Sequence, residues 1–275
     1  MSHSPRALGP LLGSLLLAIL FSCATSKQAP EPSRGLSHIA RTGEIRIGTS
    51  GEQPPLTMTA RSGELIGLDV AFANVLAQAM GVEPKLVRLP FGQLLDALDA
   101  GDIDLVMSGM TITPERSRRA TFVGPYYISG KTILTRSEVL AAAEIPEDLD
   151  SPDLRFAALQ GSTSEAFAQR ALSQATLVTT EQLEDAIAKV LSGEVDALVA
   201  DRDTCDFAVL RHPDSGLLAA EATFTVEPMG IAVDADDPRL ANLVQTYLTA
   251  LMDSGALEKA RGFWFKDPSW VKDLR

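Results

Sequence analysis

The sequence predicts an α/β fold built from two similar lobes. Three observations point there: short apolar runs alternate with longer amphipathic ones, a helix–glycine–acid–strand unit occurs twice, and 275 residues suit one large or two small domains. Hydrophobic residues make up 45% of the chain, enough for a real core, which excludes a disordered chain or a multi-span membrane protein. Lys and Arg number 24 against 36 Asp and Glu, a net charge of −12 with no basic run. A phosphate backbone repels such a surface, so nucleic acid is excluded as a partner.

The first 22 residues carry one Arg and then an apolar run from Leu11 to Phe21. The run is shorter than the roughly 20 residues a membrane-spanning helix needs, so residues 1–22 read as a secretory signal and not as part of the fold. Leu20, Phe21 and Ser22 before Cys23 resemble a bacterial lipobox, which implies lipidation of Cys23 and attachment to the bilayer; a soluble secreted protein is the alternative. Under that resemblance Ala24, not being Asp, implies no retention at the inner membrane of a two-membrane host. Removing the signal takes away one Arg and no acid, giving −13. Lipidation of Cys23 leaves Cys205 unpaired, so no intramolecular disulfide is expected. Polar, proline-containing residues to Gly35 then read as a tether, 23–35.

Beyond the tether, Glu44–Thr49 has strand character, Val70–Met80 has helical spacing and stops at Gly81, and Lys85–Leu89 is again a strand. The repeated unit is Leu95–Ser108 (LDALDAGDIDLVMS) and Ile187–Asp201 (IAKVLSGEVDALVAD): a helix end, a C-capping Gly, an acid, a β-branched residue, an Asp and an apolar strand. Two helix–strand units of any α/β protein can look this alike by chance. Read as a duplication, the unit predicts two lobes. Ligands of open α/β sheets bind beyond the carboxyl ends of strands, so the loops Ser108–Arg116 and Asp201–Thr204 are expected to face one interlobe cleft.

The segments RTGEIRIGT, GELIGLDVAFANVLAQAMG, DIDLVMSGMTITPERSRRATFVGPYY, LQGSTSEAF, VDALVAD and LMDSGALEKARGFWF, in this order across residues 36–266, resemble the extracellular solute-binding proteins of family 3. The resemblance implies a two-lobed periplasmic-binding-protein-like clamp of type II with two crossover strands: lobe one from 36–128 and 227–275, lobe two from 129–226. It also implies a free amino acid as ligand, held by the positions matching Thr111, Arg116, Thr163 and Asp201, with Phe91 packing on the ligand side chain.

The residue chemistry fits that implication. An α-carboxylate needs a forked cation and backbone donors, and Arg116, Thr111 and the amide of Gly109 are of that type. Gly161, Ser162 and Thr163 form a turn that can open a helix, where free amides attract an anion. Asp201, ending an apolar strand, suits an α-ammonium. On pattern alone, Arg116 with Arg118 and Arg119 reads equally as a solvated cluster, Asp201, Ser162 and Thr163 as helix caps, and Phe91 as core. The family resemblance implies a structural role for Asp69 near the lobe-one helix, not a ligand contact.

One departure stands out. Family members commonly carry an acid and an aromatic after the first strand, where this chain has Ser50, Gly51, Glu52 and Gln53 before Pro54 and Pro55. Glu52 reads either as a partner for a cationic ligand side chain or as an exposed loop acid. The sequence also resembles cyclohexadienyl dehydratase, a lyase of the same fold, in layout and in His212-Pro213. That enzyme needs a proton-donating acid three residues after Asp201, where this chain has Thr204; Asp203 is adjacent but points elsewhere in a regular helix. His38 and His212 lack partners at metal-ligand spacing, and no phosphate loop, dinucleotide fingerprint or nucleophile elbow occurs, so no metal or cofactor is expected. The expectation is a monomeric, non-enzymatic receptor that closes on an amino acid and docks on an ABC permease, or else a sensor for a signalling partner.

Overall fold

A computed structural model describes residues 34–273. The expected signal and Cys23 lie outside the described residues. Gly35, the last residue of the expected tether, already opens a helix: Leu36 N donates to Asp237 Oδ2 at 2.7 Å.

In chain order the elements are α1 (Gly35–Thr42), β1 (Glu44–Thr49), β2 (Glu52–Gln53), β3 (Thr57–Thr59), β4 (Leu65–Ile66), α2 (Leu68–Met80), β5 (Glu83–Arg88), α3 (Leu94–Ala100), β6 (Leu105–Thr111), β7 (Ala120–Ser129), β8 (Lys131–Thr135), α4 (Glu138–Ala141), β9 (Arg155–Leu159), α5 (Thr163–Ala171), β10 (Thr176–Thr180), α6 (Leu183–Ser192), β11 (Ala197–Asp201), α7 (Arg202–Arg211), β12 (Leu218–Ala219), β13 (Glu227–Asp234), α8 (Pro238–Asp253) and α9 (Ala256–Lys266). They build two five-stranded sheets. The first has the order β5-β1-β6-β13-β7, with β5, β1 and β6 parallel and β13 antiparallel to both its neighbours. The second has the order β10-β9-β11-β8-β12, with β10, β9 and β11 parallel and β8 antiparallel to β11 and β12. Both are thus mixed sheets: β13, the last strand of the first, and β8, the earliest strand of the second, are each inserted antiparallel. β2, β3 and β4 form a small separate sheet.

Apolar clusters cover both faces of each sheet, which is why the strands read as continuous apolar runs. Ile47, Leu105 and Ile231 pack toward α2 and α8, while Val106 and Ala232 pack toward α3. In the second sheet Leu198 packs toward α6 and α7, and Val199 toward Phe167 of α5.

The sequence repeat has a shared physical cause. In lobe one, Asp104 accepts from the Arg46 amide at 2.8 Å, from Nε at 3.1 Å and from Nη2 at 2.8 Å, while Arg46 Nη1 donates to Gly101 O. In lobe two, Asp196 accepts from the Arg155 amide at 2.8 Å, from Nε at 3.2 Å and from Nη2 at 3.1 Å, and Arg155 Nη2 donates to Gly193 O. Each Asp therefore clasps an Arg on the neighbouring parallel strand. Gly101 and Gly193 both end their helices at φ 76°, the left-handed cap that only glycine adopts without strain.

The chain leaves the first sheet at Ser129, passes through Gly130 and starts β8; it returns through Thr225 into β13. The two connections are tied together: Lys131 N donates to Thr225 Oγ1 at 3.0 Å, and a Cβ on Gly130 would sit 2.5 Å from Thr225 O. After α9 a short 3-10 turn, Pro268–Asp273, brings Trp270 onto Phe207 of α7, ring centroids 5.6 Å apart.

Candidate binding cleft

Asp201–Thr204, expected as a loop, is instead the end of β11 and the first turn of α7. The loop after β6 and the junction of β11 with α7 meet where the two sheets face each other. Their shared cavity is lined by Phe91, Gly109, Thr111, Ser162, Thr163 and Asp201 from the sequence-derived set, and by Glu52, Gln53, Lys131, Leu198 and Thr204. Its volume of about 20 Å³ holds about one water molecule, so a ligand enters only if the lobes part.

Arg116 spans the cleft. Its Nη1 donates to Thr111 O at 3.0 Å in lobe one and its Nη2 to Gly161 O at 3.1 Å in lobe two. The guanidinium lies 5.4 Å from the centroid of the Phe91 ring, a cation–π contact that fixes its plane. Burial lowers the Arg116 pKa, while the negative charges of Glu227 and Asp201 act to raise it. Thr111 and Thr163 hydroxyls approach to 3.4 Å across the cleft. Phe91 is buried, and it is also a wall of the cavity.

Two of the expected backbone donors are already used. The Gly109 amide donates to buried Asp69 Oδ2 at 2.7 Å, and the Gly161 amide donates to Glu165 Oε2 at 2.7 Å. Ser162 is an N-cap: its hydroxyl accepts from Glu165 N and donates to Leu159 O. Of the three residues in this turn, Thr163 retains a hydroxyl aimed across the cleft. Gly161 serves closure in another way, since at φ 72° it approaches Gly92 of the opposite lobe so closely that a Cβ would meet Gly92 Cα at 2.7 Å.

Asp201 holds the N-cap position of α7, yet its carboxylate makes no capping bond. Lys131, its partner in the β8–β11 register, donates from Nζ to Asp201 Oδ1 at 2.6 Å, and Glu227 Oε2 stands 3.8 Å from the same ammonium. Lys131 is only 1% exposed. Burial raises the Asp201 pKa, and the Lys131 charge opposes that rise. Sequence reasoning missed Lys131. The available signal was a lone ionisable residue opening the apolar strand KTILT at the expected crossover.

Glu52 is neither an exposed loop acid nor a group facing an empty space. Its Oε1 accepts from Arg88 Nη2 at 3.2 Å, and its Oε2 accepts from the Leu183 amide at 3.0 Å, the first turn of α6 in the other lobe. It braces the closed cleft at a helix N-terminus, where a carboxylate is favoured. Thr204, at the position where the lyase has its acid, is buried and donates to Pro54 O at 3.3 Å. Asp203 points away to the hinge, accepting from Tyr127 Oη and Ser129 Oγ, both at 2.7 Å.

A family model described as bacterial extracellular solute-binding proteins, family 3, matches residues 45–267. The chain belongs to this family. The L-arginine-binding protein of Pseudomonas aeruginosa is 28% identical over 93% of this chain and 95% of its own length. Cyclohexadienyl dehydratase from the same organism is 26% identical over 95% and 96%. The crystal structure of an ancestral amino acid-binding protein, a precursor of cyclohexadienyl dehydratase, superposes with a TM-score of 0.75 at 34% identity, covering 83% of this chain and 98% of that one. The fold is therefore the two-lobed architecture of periplasmic binding proteins, in a family consisting mainly of solute-binding proteins, with a dehydratase among the relatives. Among the described residues no helix is long and apolar enough to cross a membrane.

Proposed function

We propose that this protein is the amino-acid receptor of an ABC importer, a clamp that closes on one free amino acid and presents it to a membrane permease. The observation that carries the reading is Arg116, a forked cation hydrogen-bonded to a carbonyl in each lobe. A ligand carboxylate arriving there replaces weak carbonyl acceptors with a charge-assisted pair and draws both lobes together. The α-ammonium is taken by Asp201, and Thr111 and Thr163 complete the carboxylate contacts from either side. Phe91 orients the guanidinium from below. In this reading lobe one is 36–128 with 227–275, lobe two is 129–226, and Cys23 carries the lipid that keeps the monomeric clamp at the membrane surface.

Both acids lining the cavity are held in ion pairs and the position of the lyase's acid is Thr204, which supports binding without turnover. Calorimetric titration with the common amino acids tests the receptor reading directly: heat and a raised melting temperature with at least one of them is expected, and silence from all refutes it. Conversion of prephenate or arogenate by the purified protein would instead establish the lyase.

A further inference from the structure

Amino-acid clamps differ in what their walls offer the ligand side chain, and here the charges of the wall are accounted for. The cavity is lined by two acids, Glu52 and Asp201. Both oxygens of Glu52 are engaged, one by Arg88 and one by the α6 amide. Asp201 gives Oδ1 to Lys131 and retains Oδ2. One carboxylate oxygen is thus left without a protein donor for one ligand ammonium, and a second cation would have to share an oxygen already held by a cation or an amide. The remaining wall is Phe91, Leu159 and Leu198 with hydroxyls of Ser164 and Thr204 and the amide of Gln53.

We propose that the clamp discriminates against amino acids with cationic side chains, and that Lys131 and the Glu52 brace are the residues that exclude them. This rests on the receptor reading above and sets the protein apart from its arginine-binding relative. A guanidinium or ammonium entering this cavity would either break the Glu52 brace, reopening the cleft, or be buried beside Lys131 without an anion, and a buried unpaired charge is strongly unfavourable.

The test is isothermal titration of the whole protein with alanine, serine, glutamine, leucine and glutamate against arginine and lysine. At least one of the first five should bind ten-fold or more tightly than arginine and lysine. Equal or tighter binding of arginine or lysine overturns the inference while leaving the receptor function intact; binding of none removes the receptor function itself. Lys131→Met should raise the affinity for lysine or arginine at least ten-fold relative to the wild type by freeing Asp201. A folded K131M protein with wild-type selectivity would refute the role given to Lys131, and if the variant does not fold, the wild-type selectivity decides.

Discussion

The two lobes carry the same clasp at different depths. Asp104 in lobe one is fully buried at its side chain and its partner Arg46 is 15% exposed, whereas Asp196 and Arg155 in lobe two are 30% and 45% exposed. Geometry is nearly identical, so the pair isolates the effect of burial. Removing one member of a buried pair strands a charge away from water, while an exposed pair is replaced by hydration. Beyond the clasp the lobes diverge. The strand after Asp104 continues into Thr111 and the Arg116 loop; the strand after Asp196 stops at Asp201 and turns into α7. Scaffold is shared, and chemistry is added where the strands end.

A further contrast separates two other buried carboxylates, Asp201 and Asp69. Asp201 has a lysine. Asp69 in lobe one accepts from the Gly109 amide beside buried Tyr126, and burial pushes it up to about 7. One acid is met by a counterion, while the other is met by a backbone amide and has its pKa raised by burial.

The largest effect expected is on binding. Arg116→Ala should weaken the ligand by more than about 100-fold with little change in melting temperature, because a charged hydrogen-bonded partner at a binding site is worth about 2–5 kcal/mol and the residue contributes little core; retained affinity in calorimetry would exclude it from the site. Next, Asp104→Ala should cost about 3 kcal/mol in urea unfolding. The matching Asp196→Ala, by contrast, should cost less than about 1 kcal/mol, the smallest change of the series. Equal losses would show that burial is not what separates the two clasps. Between these lies Asp69→Asn. Because the folded-state pKa lies above the unfolded value near 4, the folded protein holds an extra proton between the two, so stability is full below about pH 4 and declines as pH rises to about 7. The asparagine variant should remove that decline in thermal melts from pH 4 to 8, and an unchanged slope would assign it to other groups.

How much of this was legible depended on how local the cause was. The strands at Glu44 and Lys85, the helix ending at Gly81 and the repeated unit announce themselves within a dozen residues, since periodicity and a left-handed glycine cap are local facts. The repeat was visible, but its cause was not: Asp104 reaches Arg46 across 58 residues. Arg116, Thr111 and Asp201 do line or border the cleft, while the Gly109 amide is consumed by Asp69, whose position 40 residues away no spacing rule foretells. Lys131 and Glu52 escaped for the same reason. Each acquires its meaning from a partner in another element, Asp201 through strand pairing and α6 through closure.

Consider finally where Asp201 sits. Its register partner Lys131 follows Gly130 directly, and the next amide, that of Arg202, donates to Gly130 O at 2.9 Å. In the proposed receptor, the group assigned to the ligand ammonium and the connection between the lobes are therefore adjacent parts of one hydrogen-bonded ladder. Such a receptor would need no relay through the protein: occupancy would be read at the joint itself, and any tug on Asp201 would be a torque on the connection between the lobes.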